Sequence, residues 1–148
     1  MAGTIARALG CAALGAPFLL AAYPVFIDEA ARNGQLGYTL SVKGSLGGEQ
    51  GATAAFWIAK VLELVGAILL MAAPLLSAAS VFPTTRGAEK LGAQLLLAFL
   101  IPVTVLLHGT DYSTEPVKRN VAYAGALLAI VFKAASSEAK SGKGAKRS

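Results

Sequence analysis

Charge is scarce in this chain of 148 residues: Asp, Glu, Lys and Arg together make up 14% of it, against 55% hydrophobic residues and a positive mean hydropathy. A soluble domain needs a more polar surface than that, so a water-exposed globule is a poor reading. Cysteine occurs once, as Cys11 inside the first apolar run, which excludes a disulfide-built secreted fold. Histidine also occurs once, as His108. One imidazole cannot supply both axial ligands of a b-type haem, and no Cys-x-x-Cys or His-rich spacing is present for zinc or an iron–sulfur cluster. The chain by itself is therefore expected to hold no metal or cofactor. The glycines form no phosphate-cradling pattern followed by Lys-Ser or Lys-Thr, so no nucleotide site is read. No aromatic residue is interleaved with the basic residues of the carboxy-terminal tail, which argues against nucleic acid as a partner.

What is present is apolar length. A helix rises about 1.5 Å per residue, so about 20 apolar residues cross a hydrocarbon core of about 30 Å. Four segments reach that length, and they predict an all-α, polytopic membrane protein: a four-transmembrane-helix bundle with spans at about 8–27, 54–82, 88–108 and 116–135. Residues 1–135 form one membrane domain, with a long Gly-rich first loop over 28–53, and 136–148 form a basic tail. The first run could alternatively be a signal peptide, with Arg7 in front and Ala21 and Ala22 near its end, but it is long for an h-region. Pro17 and Pro24 are tolerable in a membrane helix where neighbours satisfy the freed carbonyls.

Eight basic residues fall on the side of the termini (Arg7, Arg86, Lys90, Lys133, Lys140, Lys143, Lys146, Arg147) and five on the other (Arg32, Lys43, Lys60, Lys118, Arg119). The positive-inside rule then places both termini on the cytoplasmic, matrix or stromal side. The same topology brings Lys60, Glu63, His108, Asp111, Glu115, Lys118, Arg119 and Asn120 towards one membrane face, together with Asp28 and Glu29. A polar cluster of both signs is expected to cap the bundle there.

Lys60 and Glu63 are three apart and share a helix face, and a charge at membrane depth needs a partner. Glu63 is either a proton-handling or ligand-binding carboxylate or half of a structural ion pair. Its expected place, a turn or so from the head groups, favours the ion pair, with Lys60 snorkelling outward. His108 reads more readily as a helix-ending residue bonded to a carbonyl or to Asp111 than as a quinone or proton contact. Thr114, Glu115 and Pro116 read as a helix start. Lys118 and Arg119 oppose the dipole of that helix, so they need Glu115, Glu63, Asp111 or lipid phosphate, unless they are simply solvated interfacial anchors.

In the first loop, Tyr38, Leu40 and Val42 alternate with Thr39, Ser41 and Lys43, which predicts a short extended segment bounded by glycine turns. A loop of this length suits partner binding. The tail is predicted to be solvated and drawn to anionic lipid head groups. Small residues at Gly10 to Ala16, Gly66 to Ala73 and Ala122 to Ala126 permit close helix approach and predict a tight bundle.

Over roughly Ala52 to Phe132 the chain resembles the DoxX-like family of small four-helix membrane proteins. The likeness is carried by KVLELVGAILLMAAP from Lys60 to Pro74, Arg86 in the next loop, His108 ending the third span, and Lys118-Arg119-Asn120 before AYAGALLAIV. The resemblance implies association with membrane redox assemblies, including a subunit of a quinol- or thiosulfate-oxidising system; distant relatives are membrane cargo receptors. Glu63, His108 and Asn120 match the pattern, without a transferable catalytic role.

The expected function is a non-catalytic accessory or structural subunit of a larger membrane complex, a respiratory or photosynthetic electron-transfer assembly. The mitochondrial inner membrane or another energy-transducing membrane would hold it, with other membrane subunits and lipids as partners. Alternatives are a redox or quinone-linked enzyme subunit using Glu63 and His108, and a small transporter or cargo receptor. For the last, no inverted repeat or broken-helix pair is seen beyond scattered prolines.

Overall fold

A computed structural model describes residues 2–78, 86–108 and 114–145. Among these there are five α-helices and no strand: α1 (Ala2–Ile27), α2 (Glu29–Leu40), α3 (Gly48–Ala78), α4 (Gly87–Val103) and α5 (Glu115–Ala145). A short 3-10 turn, Lys43–Leu46, precedes α3, and a π-helical turn, Thr104–His108, extends α4. Three stretches are long and apolar enough to cross a membrane: Ile5–Ile27, Gly48–Pro74 and Gly87–His108. The protein is thus all-helical, and its apolar helices fit an integral, multi-pass membrane protein.

Helix α3 lies at the centre, packed on α1 at one side and α4 at the other, and α5 packs on α4. Phe18 of α1 closes the arrangement. Its ring meets Phe99 of α4 and Tyr123 of α5 edge-on, with centroids 6.3 and 5.3 Å away. Around it Cys11, Ala67, Leu70, Leu96, Leu97, Leu100 and Leu127 form the core.

The α3–α4 contact is set by glycine. A Cβ on Gly92 would stand 2.7 Å from the Leu70 nitrogen and 2.9 Å from the Gly66 oxygen, and one on Gly66 would stand 3.1 Å from the Gly92 oxygen. The two backbones therefore touch where each helix lacks a side chain, the device by which helices gain van der Waals contact in lipid. The small-residue faces act unevenly, since among the described residues nothing beyond their own helices lies within 4 Å of where a Cβ on Gly10 or Gly125 would be.

The first loop corrects the expectation of an extended segment. Asp28 is extended (φ −122°, ψ 118°), ends α1 and caps α2 by accepting from the Ala30 nitrogen at 2.9 Å. Glu29, Ala30 and Ala31 then favour helix, and Glu29 sits at the positive end of the helix dipole. That start outweighs the cost of Gly34 and Gly37, about 1 kcal/mol each, and α2 runs to Leu40. Gln35 Nε2 donates to the Ala21 carbonyl at 3.3 Å, folding α2 back along α1. The glycine turn is later, at Gly47 and Gly48, with φ +79° and +89°. These left-handed residues turn the chain into α3.

Two helices also run beyond the expected spans. Helix α3 starts at Gly48, ahead of the expected 54, and α5 stays helical through Ala145, past the expected end of the fourth span at 135. The Ala, Ser, Glu and Lys after Ala134 include good helix formers, so a helix already nucleated on α4 propagates through them.

Candidate functional site

Among the described residues, the polar side chains expected at one membrane face make separate pairwise contacts. Lys60 Nζ donates to Glu63 Oε2 at 2.5 Å, and both residues are buried, 8% and 3% exposed. Lys60 does not snorkel outward. Its ammonium stands 5.6 Å from the centroid of the Phe99 ring on α4 and gains a cation–π contact there. The pair is also deeper than its sequence position suggested. Glu63 is the middle residue of the 31 in α3, about 22 Å from either end. Within the candidate span Gly48–Pro74, Lys60 and Glu63 therefore stand near the middle rather than at an edge.

His108, at the end of the π-helical turn, lies near Tyr38 of α2, with ring centroids 6.4 Å apart. Asn120 of α5 donates to Thr104 Oγ1 at 3.0 Å, and Thr104 in turn donates to the Leu100 carbonyl at 2.7 Å. Asn120 thereby ties α5 to the turn that follows Pro102. Lys118 meets Glu115 at 3.0 Å on an exposed surface, which supplies one of the anionic partners anticipated for it. Arg119 is exposed. Asp111 lies outside the described residues.

A second buried acid escaped the sequence reading. Glu89, 5% exposed, pairs with Arg7 of α1 and also accepts a hydrogen bond from Cys11 Sγ at 3.4 Å. Glu89 stands in the first turn of α4, where the helix dipole favours an acid. The signal in the sequence is topological: in the expected four-span arrangement Glu89 lies between Arg86 and Lys90, on the same side as Arg7.

Between α2, α3 and α4 runs a cleft of about 710 Å³. Its walls are mostly apolar, with Phe56, Leu62, Phe99 and Leu106 among them. Lys60 lies in its wall near mid-helix, and Gln35, Thr39 and His108 bring polar groups to it from α2 and the end of α4. The structure thus unites Lys60 and His108 around one space, while Glu63 stands behind Lys60 as its counter-ion. Among the described residues no group of three His, Cys, Asp or Glu side chains could hold a metal ion.

Compared with known proteins, the chain matches no family model, no curated protein and no solved structure.

Proposed function

We propose that this chain is a four-span helical bundle that serves as an accessory, non-catalytic subunit of a larger membrane assembly, in an energy-transducing membrane such as the mitochondrial inner membrane. The observation that carries the reading is how much apolar helix surface the chain leaves uncovered. Among the described residues, only 28%, 33% and 33% of an 18-residue apolar window in each of the three spans is buried. Gly10 and Gly125 lie on open faces where a neighbouring helix can approach to backbone contact.

The fourth span is supported by α5. Its buried residues Val117, Leu127 and Ala134 cover a length of about 25 Å, and α5 packs along α4. Lys118, Arg119 and Asn120 then fall in its interfacial first turn. Both termini would face the cytoplasmic, matrix or stromal side, with the basic tail near anionic head groups. The DoxX-like resemblance agrees with a role beside membrane redox machinery.

Affinity purification of the tagged chain from its host membrane in mild detergent tests the assembly. Stoichiometric recovery of other membrane polypeptides is expected, and recovery of this chain alone overturns the reading.

A further inference from the structure

We propose that the cleft between α2, α3 and α4 is a binding site for a neutral single-chain lipid, seated with a hydrogen-bond-accepting head oxygen on Lys60. The inference is independent of the accessory-subunit reading.

Size comes first. At about 710 Å³ the cleft falls within the 300–1,000 Å³ typical of small-molecule sites. At the ~30 Å³ that a water occupies in the liquid, it holds about two dozen non-hydrogen atoms. That matches one long acyl chain with a small head, such as a monoacylglycerol, and is about half of a two-chain phospholipid.

Surface chemistry comes second. Phe56, Ile58, Leu62, Phe99, Val103 and Leu106 make a wall suited to a hydrocarbon chain, and the space lies between helices apolar enough to span a membrane. Such a ligand reaches the site from the bilayer without entering water.

Charge comes third and selects the head. An ammonium carries three N–H donors. Among the described residues Lys60 spends one on Glu63, and its charge faces the Phe99 ring. Donor capacity remains for an acceptor in the cleft. Glu63 already neutralises Lys60, so a carboxylate or phosphate head would leave a net negative charge deep in low dielectric. An ester or hydroxyl oxygen accepts from Lys60 without that cost. Tyr38 and Thr39 of α2 lie across the outer wall, beside His108.

The test is photolabelling of the purified full-length chain with a diazirine-bearing monoacylglycerol, mapped by peptide mass spectrometry. Label is expected within 55–62 and 98–108, with at least tenfold loss under excess unlabelled monoacylglycerol. Ala59→Phe and Ala98→Phe, which fill the cleft, should each lower that label at least fivefold and leave labelling near the outward-facing Leu20 and Phe132 unchanged. The paired replacement Lys60→Met with Glu63→Leu should lower the monoacylglycerol label similarly but spare labelling by a diazirine alkane. Uncompeted label, label spread equally over the outward faces, or stronger cleft labelling by the matching diazirine fatty acid each overturns the proposal. The competition experiment on the unaltered chain decides the matter even where a variant fails to fold.

Discussion

Taking one member away from a buried ion pair leaves a bare charge in the bundle, so the single and the double replacement should behave differently. Lys60→Met strands Glu63 and is expected to cost about 3–5 kcal/mol, whereas Lys60→Met combined with Glu63→Leu should lie close to the parent or above it. Reversible unfolding in mixed micelles, analysed as a double-mutant cycle, reads the difference. With Glu63→Leu alone as the fourth corner of the cycle, a double loss equal to the sum of the two single losses would show that the pair adds nothing by being paired. Glu89→Leu removes the carboxylate that Arg7 and Cys11 share and should cost less, because the Arg7 side chain is 27% exposed and its pairing is partly screened. Of these two pairs only the first was legible in the sequence, because its members are three residues apart. Arg7 and Glu89 are separated by 82 positions, and only the tertiary fold, with α1 and α4 both packed on α3, makes them neighbours.

At the scale of the element, the α3–α4 crossing predicts opposite outcomes for the same chemical change. Gly92→Ala forces a methyl into the backbone around Leu70 and should destabilise by about 1–3 kcal/mol. Gly125→Ala meets open space and should be neutral or gain up to about 1 kcal/mol from helix propensity. Thermal unfolding of the two variants side by side checks this. For α2, Asp28→Ala removes the cap and should cost about 0.5–2 kcal/mol, seen as faster amide hydrogen exchange over 30–40 with α3 unaffected.

The long apolar helices were legible because hydrocarbon demands unbroken length. Helix α2 was not, because the alternation of Tyr38, Leu40 and Val42 reads as an extended segment, whereas the Asp28 cap and the helix-favouring residues behind it start a helix. The cleft was beyond sequence reasoning altogether: it depends on α2 folding back so that Gln35 reaches Ala21.

For the whole molecule, topology is the property to test. With Cys11→Ser as background, single cysteines at Tyr38 and Ser136 should react with membrane-impermeant maleimide from opposite sides of a sealed vesicle. Reaction from one common side would mean that α5 returns along the surface instead of crossing. The eight tail-side cations make the orientation itself sensitive to charge, so replacing Arg86 and Lys90 with Gln should raise the fraction of inverted molecules.

Phe18 has a consequence for the order of assembly. It belongs to α1, yet its ring contacts lie on Phe99 of α4 and Tyr123 of α5. During biosynthesis α1 must wait beside an incomplete scaffold until Tyr123 has emerged. A nascent chain halted before Tyr123 would leave that aromatic face open to quality-control machinery, so truncated products should be degraded rather than accumulate in the membrane.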